Sequence, residues 1–147
     1  IELDRTSLKR DENGKVQAFD TPGWDAIYRQ RVLDLAKLLT REGTKVIWLT
    51  LPVMRSDSFS AKTARINKIV REVLADMADV QVLDANSVLA DDAGRFRAYT
   101  TDAKGKLVSL RQSDGIHVTD AGARLLADKL MPLLDTMSAA TTPLTLN

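Results

Sequence analysis

Two short apolar runs, "KVIWLTLP" at residues 45–52 and "VQVLDA" at 80–85, each follow an amphipathic stretch of helical period, and this alternation limits what the chain can fold into. The first run is continuous, rich in β-branched residues and closed by Pro52. Its length and composition predict a strand buried on both faces, as in a parallel sheet. Ahead of it, "TPGWDAIYRQRVLDLAKLLTREG" predicts a helix with Thr21 as N-cap, Pro22 at the first helical position and Gly43 as C-cap. Trp24, Ile27, Tyr28, Val32, Leu35, Ala36 and Leu39 form one stripe at helical spacing, so this helix lies on a core. Between the two strands "KTARINKIVREVLADM" repeats the pattern with Ile66, Ile69, Val70, Val73, Leu74 and Met77. A last helix is predicted from Thr119 to Asp135, with Thr119 as N-cap, Asp120 complementing the helix dipole, and Pro132 kinking it or starting its final turn.

Helix, strand, helix, strand, helix predicts an α/β layered fold with a parallel sheet. Ligands of such sheets bind beyond the carboxyl ends of the strands. The loops after Pro52 and Asp84, and the loop before the last helix, are therefore candidate site loops. The other segments read as connections. "DRTSLKRDENGKVQAFD" is a polar loop with a turn at Asn13-Gly14, and "VMRSDSFSA" is a loop. "NSVLADDAGRFRAYTTDAKGKLVSLRQS" is a short helical turn followed by a long irregular excursion, with a brief strand in "KLVSL".

Composition removes several functions. The 147 residues carry 21 basic and 20 acidic side chains, interspersed, so no basic field favours nucleic acid. There is no cysteine, which excludes disulfides, thiolate nucleophiles and thiolate metal sites, and with a single histidine it argues against zinc. No apolar run approaches the ~20 residues of a membrane span. The sequence opens on "IELDRTSLKR" without a Met, which predicts that something upstream has been removed and makes a missing signal peptide uninformative.

The one histidine, His117, stands three residues after Asp114 and just before the last helix, in "DGIHVTDAGARLLADKL". A carboxylate at that distance can fold back onto Nδ1 if the loop turns tightly, and Gly115 permits the turn. Nε2 would then face a nucleophile, as a general base must. The helix N-terminus disfavours the imidazolium and Asp114 favours it, two opposed effects that suit a base. From spacing alone a second reading stays open, that His117 is a solvated residue at a helix start.

The same stretch resembles the last signature block of the SGNH (GDSL-like) hydrolases, whose Asp-x-x-His supplies acid and base to a Ser-His-Asp triad. "WDAIYRQRV", "VIWLTLPVMRSDSFS", "INKIVREV", "VLDANSVLADDAGRF" and "GKLVSLRQSDGIHVTDAG" resemble, in order, one bacterial branch of that superfamily, DUF459, from Leu3 to Leu134. The resemblance implies a three-layer, flavodoxin-like SGNH fold with a parallel sheet, of which residues 1–136 supply the C-terminal strands and helices and 137–147 a flexible tail. It implies His117 as general base and Asp114 as its orienting acid, in a Ser-dependent esterase or deacetylase without metal or organic cofactor. The substrate class would be an ester, such as an acylated carbohydrate, and the location periplasmic or otherwise extracytoplasmic. The Gly-Asp-Ser block of the family is absent, and Leu3 stands where its oxyanion Asn is expected. The nucleophile and the missing strands would then come from an N-terminal part of the same domain, in a separate fragment or another protomer. A non-catalytic binding or assembly module that keeps the fold is the alternative reading.

Other constellations are weaker. Ser56, Ser58 and Ser60 follow the first strand, and Ser113 adjoins Asp114, but none has the sharp turn that presents a nucleophile. The first three suit a helix cap better. Asp84 at a strand tip could accept a phosphoryl group, and more simply caps a helix at Asn86. Asp91, Asp92 and Asp102 lack regular calcium-ligand spacing. Arg95, Arg97 and Arg111 could meet an anionic or sugar substrate, or be solvated. Trp24 and Trp48 are expected to pack on either side of a helix–strand contact.

Overall fold

A computed structural model describes residues 9–139 of the chain. Residues 1–8, with the Leu3 position, and residues 140–147 of the expected tail lie outside the described residues. The chain is an α/β protein of two compact units, the first ending at Asp84 and the second beginning at Ala85.

The first unit opens with a hairpin, β1 (Lys9–Arg10) antiparallel to β2 (Val16–Gln17), in a segment expected to be loop. Helix α1 (Pro22–Leu39) follows, capped by Thr21, whose side chain accepts from the Trp24 N–H. It stops at Leu39, and a 3₁₀ turn at Arg41–Gly43 takes the place of the expected C-cap at Gly43. Strand β3 (Val46–Leu49) pairs in parallel with β4 (Val80–Leu83), in the register Val46↔Val80 to Leu49↔Leu83. Between them α2 (Asp57–Leu74) begins five residues before the expected Lys62, because Ser56 caps it by accepting from the Phe59 N–H.

Period explains the packing. In α1 the buried residues are Trp24, Tyr28, Val32 and Ala36, spaced four apart, so the buried stripe is narrower than the expected one and leaves Leu39 exposed. They meet Ile66, Ile69, Val70 and Leu74 of α2. Trp24 stacks on Tyr28 with ring centroids 4.9 Å apart, and Phe19 meets Trp24 edge-on at 4.7 Å. Trp48, Val80 and Val82 close this cluster from below. They share one face of the strand pair because side chains alternate, and the helices cover that face. Ile47, Leu49, Gln81 and Leu83 point the other way, and Leu49 remains 45% exposed. Burial of β3 on both faces is therefore not what this unit provides: the helices in it serve one side only, and among the described residues no third strand pairs with β3 or β4.

The loop leaving β3 is fastened to α2. Asn67 accepts from the Leu51 N–H (2.9 Å) and donates to the Leu51 carbonyl (2.7 Å). Ser60 accepts from the Met54 N–H and donates to its carbonyl, both at 2.8 Å. At the strand ends the buried Thr50 hydroxyl donates to Asp84 (3.1 Å), which also pairs with Arg71 (3.0 Å). Asp84 thus ties the ends of β3 and β4 together.

The second unit holds α3 (Asn86–Leu89), β5 (Tyr99–Thr101) antiparallel to β6 (Leu107–Ser109), and α4 (Asp120–Ala139). The expected irregular excursion is in fact two hairpins in series, the first marked by the bridge Ala90↔Phe96. Their turns share one design with the hairpin of the first unit: "DENGK", "DDAGR" and "DAKGK". In each, the aspartate accepts from the N–H groups two and four residues on, and the glycine takes positive φ, +75° at Gly14 and Gly94 and +77° at Gly105. These bonds hold Asp11 and Asp91 below the usual carboxylate range; the largest contribution for Asp11 is the Gln17 amide and for Asp91 the Arg95 N–H. Helix α4 runs through Pro132 to Ala139, so residues 137–139 of the expected tail are helical. Among the described residues no helix is long and apolar enough to cross a membrane.

Candidate active site

The loop between β6 and α4 is a short antiparallel hairpin. Thr119 N–H donates to the Leu110 carbonyl (3.0 Å), Arg111 bridges Val118, and Gln112 N–H donates to the His117 carbonyl (2.8 Å). The tip is a turn in which Gly115 N–H donates to the Gln112 carbonyl, and Gly115 has φ +72°, a conformation that costs other residues roughly 1–2 kcal/mol. Below the tip, Thr119 caps α4 through a bond from the Gly122 N–H (3.2 Å). Gly122 itself is pressed against the preceding strand: a β-carbon there would lie 2.3 Å from the Leu110 carbonyl oxygen. Glycine at this place lets the first turn of α4 sit directly on the backbone that begins the hairpin.

This frame brings Asp114 and His117 together. Asp114 Oδ1 accepts from the N–H groups of Ile116 (2.7 Å) and His117 (3.0 Å), and Oδ2 lies 2.6 Å from His117 Nδ1. The hydrogen bond to the imidazole, then the two backbone bonds, hold the Asp114 carboxyl at about 2, well below its ordinary 3.8. At neutral pH the carboxylate is therefore ionised and can only accept, so Nδ1 carries the proton. In the neutral ring Nε2 is left with a free lone pair. The imidazole side chain is 65% exposed, so that nitrogen is accessible within this unit.

The remaining candidates are otherwise engaged. Ser56 caps α2 and bonds to Ser58, and Ser60 is fixed to Met54. Ser113 lies in the turn at the hairpin tip, exposed. Asp91 and Asp102 spend their carboxylates on their own turns. Arg95 pairs with Asp91 (3.0 Å), and Arg97 donates to the Val88 carbonyl. Arg111 is 3% exposed; it donates to the Ile116 carbonyl (2.7 Å) and lies 5.0 Å over the Phe96 ring. Arg95 is largely solvated and serves only its own turn, whereas Arg97 and Arg111 brace their unit, and Arg111 acts on the histidine hairpin itself. A charge run gives no sign of such burial; the only hint in the sequence is an arginine directly after the apolar "KLVSL".

Similarity to known proteins adds a fold neighbour and a family. The fold is that of an α/β protein similar to a solved structure from Streptococcus pneumonia, provisionally named a platelet activating factor. The TM-score is 0.57 at 19% identity, and the match covers 78% of this chain and 53% of that one. The chain thus spans about half the length of this solved neighbour. It belongs to the DUF459 family, described as a protein of unknown function, whose model matches residues 3–133. No curated protein matches the chain.

Proposed function

We propose that the protein is a Ser-dependent ester hydrolase of the SGNH type, in which this chain supplies base and acid and a serine outside it supplies the nucleophile. The observation that carries the reading is the Asp114–His117 pair, its Nδ1 clasped at 2.6 Å and its ring open to solvent. The family membership and the fold neighbour are compatible with it. In the reaction His117 Nε2 takes the proton of the serine hydroxyl as its oxygen attacks the ester carbonyl. The tetrahedral intermediate expels the alcohol, which takes that proton back from Nε2. Water then attacks the acyl-serine by the same route, releasing the acid and regenerating the hydroxyl. Asp114 remains ionised throughout, holding the ring and stabilising the transient imidazolium. The proposed substrate is an acyl or acetyl ester, with an acylated carbohydrate of the cell envelope as the class, and the proposed location is extracytoplasmic.

The test uses protein that includes the residues encoded upstream of Ile1. A fluorophosphonate should label one serine, and p-nitrophenyl acetate turnover should vanish in His117→Ala. An unlabelled, inactive protein that contains the upstream segment would establish instead the non-catalytic module that keeps the fold for binding.

A further inference from the structure

We infer that Arg111 is a positioning residue for the Asp114–His117 pair, acting through the peptide that joins Ile116 to His117. That one peptide plane is gripped at both ends. Its oxygen accepts from Arg111 Nη2 at 2.7 Å, and its N–H donates to Asp114 Oδ1 at 3.0 Å. The plane leads directly into the His117 α-carbon, so its tilt sets the direction of the imidazole. The guanidinium is itself held: it is 97% buried, lies 5.0 Å over the Phe96 ring, and starts from a residue bridged to Val118 across the hairpin. A cation on the carbonyl also polarises the amide, which makes its N–H a stronger donor to the carboxylate. Arg111 acts on the pair through this carbonyl. Its effect is to keep Asp114 Oδ1 on the backbone, so that Oδ2 stays on Nδ1.

The catalytic consequence rests on the ester-hydrolase reading, but the positioning does not, and a measurement without substrate separates the two. His117 is the only histidine of these 147 residues, and the ring signals that vanish in His117→Ala are its own. In Arg111→Met the Asp114 carboxyl should titrate higher than about 2, toward its ordinary 3.8, and the downfield signal of the hydrogen-bonded Nδ1 proton of His117 should be lost to exchange. Arg111→Lys keeps a donor without the planar stack and should recover part of both signals. In the intact protein, kcat for p-nitrophenyl acetate should fall about tenfold or more in Arg111→Met with KM little changed, as expected of a misdirected base. If Arg111→Met does not fold, Phe96→Leu decides, because it removes the ring beneath the guanidinium and keeps the charge; it should move the Asp114 titration in the same direction by less. Unchanged Asp114 and His117 signals in a folded Arg111→Met, or in Phe96→Leu where the first does not fold, overturn the inference. Shifted signals in a protein that hydrolyses no ester leave the positioning established and remove the hydrolase.

Discussion

Asp114 divides its oxygens between the backbone and the ring of His117: Oδ1 takes two N–H groups, and Oδ2 lies 2.6 Å from Nδ1. Since the imidazole is the largest cause of the depressed carboxyl, His117→Ala should raise the Asp114 titration from about 2. The two backbone bonds survive in that variant, so the value should stay below 3.8. Carbon-detected NMR of the carboxyl checks this; a titration at or above 3.8 would show that the ring alone holds the loop.

The same shift fixes a pH window for stability. The folded carboxyl binds its proton less readily than the unfolded one, so its contribution is complete above the ordinary value of 3.8 and is lost as pH falls toward about 2. Wild type should therefore melt above Asp114→Asn near neutral pH, and the two curves should converge by about pH 2. Parallel curves across that range would refute the assignment.

In the intact protein, Asp114→Asn removes the acceptor that fixes the His117 tautomer while retaining a side chain of the same shape. Ester turnover should drop by about a hundredfold or more in kcat with KM nearly constant. A loss confined to KM would place Asp114 in substrate binding.

Gly122→Ala offers two opposite expectations. Helix propensity alone favours alanine by about 1 kcal/mol. The new methyl would meet the Leu110 carbonyl at 2.3 Å, and backbone on both sides leaves it little room to move. Overpacking should win, with a net loss of about 1–3 kcal/mol in urea denaturation. A stabilised Gly122→Ala would show that α4 can lift off the hairpin freely.

Asn67 answers both polar groups of Leu51, just past the end of β3. Asn67→Asp keeps the acceptor and turns the donor into an oxygen facing the Leu51 carbonyl. Denaturant unfolding should register a loss of about 1–3 kcal/mol. An unchanged midpoint would mean that water replaces the amide at no cost.

The helices and the strand pair were legible because their signals are local and periodic. Thr21 and the four-residue spacing from Trp24 to Ala36 announce α1, and the two apolar runs have the length of strands. The start of α2 is harder to read, because the polar "SDSFSA" has the composition of a loop and only the capping character of Ser56 points to a helix there. The hairpins are only partly legible, in the Asn13-Gly14 turn and the "KLVSL" strand, for a related reason. Asp11-x-x-Gly14, Asp91-x-x-Gly94 and Asp102-x-x-Gly105 repeat a turn chemistry that the strands, only two or three residues long, do not advertise by alternation. At the candidate site the Asp114–His117 contact was legible from spacing and Gly115. The roles of Arg111 and Asp84 were not, since both depend on partners that only the folded chain supplies: the Phe96 ring for one, Thr50 and Arg71 for the other.

Of the three matching hairpin turns, only the first sets an asparagine before its glycine, and Asn13 is exposed. An Asn-Gly peptide can close to a succinimide with loss of ammonia, and reopening the ring on its other side adds a methylene to the main chain. Ala93 and Lys104 hold the corresponding place in the other two turns and have no such chemistry. Ageing of stored protein should therefore fall on the hairpin at Asp11 and spare those at Asp91 and Asp102, a difference that peptide mapping would register as chemical heterogeneity at one site.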